Sequence, residues 1–259
     1  MRVIAGLVLA AAIAAVARRT RSLSSSGAAA ATIVGALATA AGWSWAGLLI
    51  AYFASAAALS RAGRMTKDRR TAAVVAKSGA RDAAQVLANG GIFAAAALVM
   101  LIRPDARWVA LGGGSLAASA ADTWATEIGT LYGGGPRSIL PLWRRVPVGT
   151  SGGVSAIGTV AAGAGASFVG LVMVGLSWTS RLAWHAAIGG VVGALVDSVL
   201  GATVQGRWWC DTCHAETERL VHVCGATTRR VAGLAWVDND MVNLLSNAAG
   251  GLVAVLLPS

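Results

Sequence analysis

The chain has 259 residues and ten net positive charges, with 21 Lys and Arg against 11 Asp and Glu. Hydrophobic residues make up 56% of the chain and charged residues only 12%, which excludes an ordinary soluble domain. The cations fall between apolar runs and no aromatic ladder accompanies them, so they favour anionic lipid over nucleic acid as the partner. The sequence therefore predicts one integral membrane domain over residues 1–259, an all-α polytopic helix bundle.

The first apolar run, 3–17, is followed by three arginines within residues 18–21. A cleaved signal peptide is the alternative, but the stronger basic cluster follows the run and favours a retained helix whose N-terminus lies outside. The second run, 27–59, is apolar throughout. At about 1.5 Å per residue it is far longer than a bilayer core of about 30 Å, so we expect it to bend near residues 42–45.

Five further apolar segments follow, separated by two basic loops and one polar insertion. The segments are 82–102, 108–132, 154–176, 182–204 and 237–257; the loops are 61–81 and 133–150, and the cytoplasmic insertion is 207–236. Counting 27–59 as two helices gives eight spans, or seven if it is one bent helix. With eight spans both termini lie outside a prokaryotic plasma membrane, and all but four of the 21 Lys and Arg face the cytoplasm.

Acidic residues recur at the predicted cytoplasmic ends of these spans. Asp122 and Glu127 lie near the end of one span, Asp197 lies in the last third of another, and Asp82 and Asp240 begin two more. Charge in a membrane segment is costly without a use, and several acids at one depth repel each other unless cations neutralise them. The pattern predicts a site for chemistry or ion binding on the cytoplasmic side.

Polar residues at helical spacing accompany the acids. Asp82, Gln85 and Asn89 share one helical face, and the start of the last span has a similar stripe. The members of that second stripe are Asp238, Asn239, Asn243 and Asn247. The alternative interpretation is that these side chains only hydrogen-bond neighbouring helices together.

The segment GTSGGVS is a candidate phosphate-binding turn before an apolar helix. Its candidate residues are Gly149, Thr150, Ser151, Gly152, Gly153 and Ser155. Backbone amides at a helix N-terminus bind phosphate well, but such a turn is often only a helix N-cap. The Gly-Lys-Ser/Thr ending of a Walker A loop is missing. Candidate cations for charge pairing are Arg81, Arg144, Arg145 and Arg207.

A third group of residues has metal-ligand spacing. Cys210 and Cys213 form one turn, and His222 and Cys224 form a second, which together supply four ligands for tetrahedral Zn²⁺. His214 is an alternative ligand to His222, and four reduced side chains without a metal remain the other interpretation. Because no ligand position is open for a substrate, any zinc here is expected to be structural.

Five separated strings carry a family resemblance from about residue 28 to the C-terminus. They are RDAAQVLANGG (81–91), ADTWATEIG (121–129), GTSGGVSAIGT (149–159), DSVLGATVQ (197–205) and NDMVN (239–243). With the Cys/His loop, they resemble the integral-membrane family that contains plant phytyl-phosphate kinase, animal transmembrane protein 19 and many uncharacterised prokaryotic members. The resemblance implies phosphorylation of an isoprenoid monophosphate to the diphosphate by a nucleoside triphosphate, with CTP the expected donor, and a divalent ion.

Phosphoryl transfer needs metal ions, cations and positioning groups. We expect Asp122 and Asp197 to bind Mg²⁺, Glu127 and Arg81 to act beside them, and the glycine-rich turn to hold phosphate. The expected substrate-binding residues are Asp82, Asn89, Gln205, Asn239, Asp240 and Asn243. The expected partners are the isoprenoid phosphate, the nucleotide and membrane lipid, and a homodimer is left open.

Other functions are compatible with the same residues. A different lipid phosphotransferase, such as a prenol kinase or a nucleotidyltransferase, would use the same metal and phosphate groups. An ion-coupled transporter would also use inward-facing acids and helices broken by glycine. A scaffold organised by the zinc loop, without catalysis, is the remaining alternative.

Overall fold

The computed structural model describes residues 2–77, 79–140 and 144–258. Within these ranges the chain forms nine α-helices and five short strands. The helices are α1 (Arg2–Arg19), α2 (Ser25–Ala41), α3 (Trp43–Arg61), α4 (Arg64–Thr71), α5 (Ala83–Ile102), α6 (Ala106–Tyr132), α7 (Ala156–Gly175), α8 (Ser180–Thr203) and α9 (Asn239–Leu256). The strands are β1 (Arg137–Ser138), β2 (Gly153–Val154), β3 (Arg207–Cys210), β4 (Ala215–Thr217) and β5 (Arg229–Ala232). The predicted helical membrane fold is confirmed.

The starts of the apolar helices follow local capping chemistry. Ser24 Oγ accepts a hydrogen bond from the Gly27 amide at 3.1 Å and begins α2. Asp82 caps α5 in a capping box with Gln85, in which each side chain accepts from the other residue's backbone amide. Asp105 and Asp238 cap α6 and α9 in a related way. Because such caps satisfy the amides that a helix start leaves free, the first turns are specified by the sequence itself.

The long apolar run divides into two helices at Gly42. α2 ends at Ala41 and α3 begins at Trp43, and Gly42 has a φ of +156° that favours glycine. Ser44 Oγ donates to the Leu176 carbonyl at 3.1 Å, which anchors the start of α3 on the end of α7. The expected bend is therefore confirmed, and the interpretation as two helices is the correct one.

Four of the described helices are long and apolar enough to cross a membrane, namely α3, α5, α7 and α8. α2 is apolar but shorter, and α1 contains three arginines in its 18 residues. The count of eight spans and the placement of both termini outside stay predictions.

The centre of the bundle is α6, which packs against α5, α7, α8 and α9. Small residues permit these approaches: a Cβ at Gly114 would lie 2.6 Å from the Ala254 Cβ, and one at Gly190 would lie 2.7 Å from the Ala117 Cβ. Close contact through Gly and Ala is how helices pack in lipid, where no hydrophobic driving force operates between them. This packing brings the acidic parts of α6 and α8 together.

The polar insertion 207–236 forms a small antiparallel sheet of order β4-β3-β5. Trp208 of the central strand pairs with Thr217 on one side and Arg230 on the other. A second, two-stranded pair joins β1 to β2, with Ser138 opposite Gly153. Both sheets lie beside the helix ends where the acids are found.

Candidate functional site

A cavity of about 560 Å³ lies at the end of the bundle where the basic loops meet. Its wall contains most of the residues that the sequence singles out. They are Arg81, Asn89, Asp122, Glu127, Gly149, Thr150, Ser151, Gly152, Gly153, Ser155, Asp197, Gln205, Asn239, Asp240 and Asn243. Segments distant in sequence therefore build one polar site.

Asp122 of α6 and Asp197 of α8 face this cavity from adjacent helices. The two carboxylates lie close enough to repel one another, and Ser246 Oγ donates to Asp197 Oδ2 at 3.1 Å. Among the described residues, the acids form no group of three whose ligand oxygens lie within 4.8 Å of one another. Carboxylate oxygens are ligands that Mg²⁺ prefers, and the ion usually takes its remaining oxygens from phosphate and water.

Glu127 has a different environment on the same helix. Its carboxylate forms an ion pair with Lys67 and accepts a hydrogen bond from Ser60 Oγ. Arg81 Nη2 in turn donates to Ser60 Oγ at 3.2 Å, and Lys67 also donates to the Leu59 carbonyl at 2.6 Å. Glu127 is thus neutralised by a fixed cation and holds α4, α3 and Arg81 in place around the cavity.

Asp82 is not among the described residues of the cavity wall, because its carboxylate is used at the start of α5. Hydrogen bonding from the Gln85 amide lowers the pKa of Asp82 below its ordinary value. Lys77 Nζ joins Asp82 to Asp240, at 3.2 and 2.5 Å. The pKa of Lys77 is raised, chiefly by its hydrogen bond to Asp240. Asp82 therefore has a structural environment, whereas Asp240 lies on the wall.

The polar stripes divide between the two interpretations considered above. Asn89 Nδ2 donates to the Gln85 carbonyl at 2.9 Å, and this residue lines the cavity. Asn247 is buried and donates to the Ala88 carbonyl at 2.9 Å, which ties α9 to α5. Asn239 and Asn243 belong to the wall. Asn247 is thus the member that fits the interpretation as polar glue between helices.

The glycine-rich turn is wound tightly against α8. Gly152 has a φ of +74°, and a Cβ there would lie 2.6 Å from the Ala202 amide nitrogen. The amide of Gly153 donates to the Thr150 carbonyl, so it is already used within the turn. Ser155 Oγ accepts from the Gly158 amide and caps α7, as the N-cap interpretation requires. The turn contributes a close backbone wall, with Thr150 among its lining residues, rather than an open ring of amides.

Three of the four basic candidates, Arg144, Arg145 and Arg207, are not among the described residues of the cavity wall. Arg144 and Arg207 both approach Glu216 of β4, at 3.6 and 3.7 Å. The cations that do line the cavity are Arg21, Arg61, Arg64, Lys67, Lys77 and Arg81. The loop 61–81 therefore supplies five of these six cations, and Arg21, which follows α1, supplies the sixth.

A second, apolar pocket of about 100 Å³ adjoins the cavity between α1, α2, α3 and α5. Leu9, Val34 and Phe53 belong to its lining. Arg81, Gln85 and Asn89 line both spaces. The arrangement places a polar, basic compartment and a hydrocarbon compartment on either side of the same three residues.

The predicted metal ligands come together in the insertion. The ligand atoms of Cys210, Cys213, His222 and Cys224 all lie within 4.8 Å of one another, and no described cysteine forms a disulfide. His214 is exposed and is not part of this group. A hydrogen bond with His222 lowers the pKa of the Cys224 thiol to about 6, and hydrogen bonding with Cys224 raises that of Cys213 to about 11. The donor set fits tetrahedral Zn²⁺.

Comparison with known proteins identifies a family of integral membrane proteins. The family model described as integral membrane protein DUF92 matches residues 8–251. The chain belongs to the DUF92 family. The resemblance drawn from the separated motifs is therefore confirmed at the level of the family, whose description names no reaction.

Relatives of the DUF92 chain extend across plants, archaea and cyanobacteria. Protein PGR of Arabidopsis thaliana is 30% identical over 95% of the chain and 92% of its own length. An uncharacterized membrane protein of Methanocaldococcus jannaschii is 26% identical over 81% of the chain and 74% of its own length. One from Synechocystis is 29% identical over 83% and 74%, respectively. No solved structure matches the chain.

Sequence reasoning missed Glu218 and Lys67 of this DUF92 protein. Glu218 comes from the insertion, lines the cavity, and accepts a hydrogen bond from Ser151 Oγ. Burial raises the pKa of the Glu218 carboxyl above its ordinary value. Neither residue belongs to a periodic pattern, so the only available signal for Glu218 was an acid placed between two pairs of metal ligands.

Proposed function

We propose that this protein is a membrane-embedded kinase that transfers a phosphoryl group from a nucleoside triphosphate, with CTP the expected donor, to an isoprenoid monophosphate. The observation that supports the proposal is the polar cavity, which combines Asp122 and Asp197 with six basic side chains beside an apolar pocket. A substrate with a charged head and a hydrocarbon tail matches both compartments. Active-site access from the cytoplasm is part of the same proposal, because the basic loops surround the cavity.

The proposed reaction needs no strong base. An oxygen of the acceptor phosphate, already ionised near neutral pH, would bond to the γ-phosphorus as the bond from that phosphorus to the β,γ-bridging oxygen breaks. The products would be the isoprenoid diphosphate and the nucleoside diphosphate. Catalysis then depends on alignment of the two phosphates and on screening of their charge.

The residues of the cavity have distinct tasks in this proposal. Asp122 and Asp197 would hold Mg²⁺, and the ion would supply charge neutralisation for the phosphate oxygens. Arg81 would contact the acceptor phosphate, because it lies where the polar and apolar spaces meet. Lys77 would bind nucleotide phosphate after exchanging part of its contact with Asp240. The glycine-rich turn would exclude water from the opposite wall.

The test is transfer of ³²P from labelled CTP, GTP or ATP to geranylgeranyl or phytyl monophosphate by the full chain in detergent. We expect labelled diphosphate only when Mg²⁺ is supplied, and a loss of roughly 100-fold or more in Asp122→Asn, the size expected when one charge-stabilising group is removed. Asp105→Asn is the matched control, since it changes the same residue type at the far, exposed start of α6.

Three results would count against the proposal. Absence of product from every donor and acceptor with folded wild-type protein would contradict an isoprenoid monophosphate kinase. Product from the prenyl alcohol but not from its monophosphate would favour a prenol kinase. Full activity in Asp122→Asn would remove this carboxylate from the catalytic site.

A further inference from the structure

The four metal ligands of the insertion flank the segment that carries Glu218. Cys210 and Cys213 precede this residue in the chain, and His222 and Cys224 follow it. An ion bound by all four would therefore close the intervening chain into a loop. Closing a loop by a metal restricts the chain on both sides of the residue that it encloses.

The distances inside the ligand group are those of an ion site rather than of a disulfide. Cys210 Sγ and Cys224 Sγ are 3.6 Å apart, and His222 Nδ1 is 3.3 Å from Cys224 Sγ. Four ligands at Zn–S bonds of about 2.3 Å place two sulfurs of a tetrahedron about 3.8 Å apart. The second ring nitrogen of His222 is buried without a hydrogen-bond partner in the described part of the chain.

Glu218 is fixed to the membrane domain through the chain between the two ligand pairs. Thr217 Oγ1 donates to the Ala73 carbonyl at 2.8 Å, and the Glu218 amide donates to the Val74 carbonyl at 2.9 Å. Within the insertion, Thr228 Oγ1 donates to the carbonyl of Arg219, the residue after Glu218, at 2.6 Å. These bonds position the Glu218 side chain against the cavity.

The carboxylate of Glu218 contacts the glycine-rich turn. It accepts hydrogen bonds from Ser151, through both hydroxyl and amide, and from the Gln205 side chain. Gln205 is itself buried, with 2% of its surface exposed. The position of Ser151 therefore depends on Glu218 of the insertion, which lies between the two pairs of metal ligands in the chain.

We propose that Cys210, Cys213, His222 and Cys224 bind one Zn²⁺ ion, and that this ion holds Glu218 against Ser151 and so fixes the glycine-rich turn at the cavity. Glu218 acts in this proposal as a positioning residue. The inference concerns the structure of the turn and holds whichever ligand the cavity binds. It makes the zinc site a determinant of cavity shape rather than a local staple of the insertion.

The experiment combines metal analysis with hydrogen exchange on the full chain in detergent. Zinc content is measured by inductively coupled plasma mass spectrometry, and deuterium uptake is followed in peptides covering 149–155, 215–219 and the middle of α6. The samples are wild type, wild type treated with a zinc chelator, Cys224→Ser and Glu218→Gln. His214→Asn is the matched control, because His214 lies outside the ligand group at a φ of +49° that Asn tolerates.

We expect one zinc per chain in wild type and in His214→Asn. Cys224→Ser should lose at least roughly 10- to 100-fold in zinc affinity, the loss found even when only the neighbours of a ligand change. Chelation should remove the protection of 149–155 and 215–219 and leave α6 unchanged. Glu218→Gln should retain its zinc and lose protection only at 149–155.

Two results would overturn the proposal independently of any phosphotransfer assay. Wild-type protein that binds no zinc when the ion is supplied would remove the site. Zinc loss by chelation that leaves 149–155 as protected as before would remove the link to the turn. Chelation starts from folded protein, so the second result stays interpretable even if Cys224→Ser does not fold.

Discussion

Asp122 and Glu127 lie five positions apart in α6, yet their carboxylates have different partners. Glu127 is paired with Lys67, whose side chain is only 8% exposed, and accepts from Ser60. Asp122 forms no ion pair with any other described residue. A carboxylate without a fixed cation is the one available to a ligand cation, which is why Asp122 carries more of the proposed chemistry.

The pair formed by Lys67 and Glu127 leads to a stability prediction. Lys67→Met should lower the free energy of unfolding by on the order of 3 kcal/mol, because it leaves a largely buried carboxylate without its counter-ion. The double variant Lys67→Met with Glu127→Gln should recover most of the loss. Thermal unfolding in detergent measures both. Equal melting temperatures for the single and double variants would show that the carboxylate finds another partner or water.

Asp82 gives a second prediction at a single residue. Asp82→Ala should cost about 1 kcal/mol through loss of the α5 cap, while Asp82→Asn, which also caps helices, should cost only a few tenths. Capping lowers the pKa of Asp82 in the folded protein. The stabilisation of the fold by this charge is therefore complete above the ordinary carboxyl pKa and is lost as the pH falls through the lowered pKa of the folded state. The wild type and Asp82→Asn should therefore converge in stability as the pH falls below the ordinary carboxyl pKa.

The rate of ³²P transfer distinguishes two roles for Asp82, as a helix cap and as a contact to the substrate. If Asp82 only caps α5, Asp82→Asn keeps its rate of ³²P transfer. A large loss of rate with unchanged stability would instead place the carboxylate in contact with substrate, as the sequence interpretation had it.

At the scale of single elements, α5 separates the polar cavity from the apolar pocket. Gly90 lines the pocket, and a Cβ there meets only Val34, at 3.6 Å. Gly91 lies on a different face, with nothing within 4 Å of its Cβ position. The two glycines therefore allow the same substitution to be compared inside and outside the pocket.

Gly90→Leu should fill part of the pocket and lower transfer to geranylgeranyl monophosphate about tenfold or more, the usual effect of changed fit in an apolar pocket. Transfer to the short dimethylallyl monophosphate should stay unchanged. Gly91→Leu is the control, because it changes helix propensity equally. Loss with both acceptors in Gly90→Leu alone would mean that the pocket does not hold the tail.

How much the sequence predicts about these elements depends on how far apart along the chain the interacting residues lie. The break at Gly42 arises within a few residues, so the sequence pattern alone located it. The sequence also placed Asp82 at the start of a helix but assigned its carboxylate to substrate binding, whereas the structure uses it as the helix cap. The metal ligands were also recognisable from local spacing. Lys67 reaches Glu127 from 60 positions away and Glu218 reaches Ser151 from 67, and no local pattern specifies such pairs.

For the whole molecule, the number of spans decides where the ends of the chain lie. Eight spans put both termini on one face of the membrane, and seven put them on opposite faces. The basic loops around the cavity predict that the shared face is the outer one. Sidedness thus follows from the count together with the distribution of charge.

Reporter fusions at the C-terminus in a bacterial host measure directly on which side of the membrane the C-terminus lies. We expect alkaline phosphatase fused after Ser259 to be active and green fluorescent protein fused there to be dark, because only the former folds outside. The same pair of fusions after Arg61, in a chain truncated there, should give the opposite result. A fluorescent full-length fusion would contradict the predicted placement.

The turn between α5 and α6 lies at the opposite end of these helices from the cavity. α5 runs 20 residues from its cap to Ile102, so this turn is about 30 Å away, and Ile102, Arg103 and Pro104 are exposed. A rigid soluble protein inserted at Pro104, continuous with both helices, would add mass and shape to a small membrane particle. The molecule thus offers an attachment point for a fiducial in electron cryomicroscopy that leaves the end with the cavity untouched.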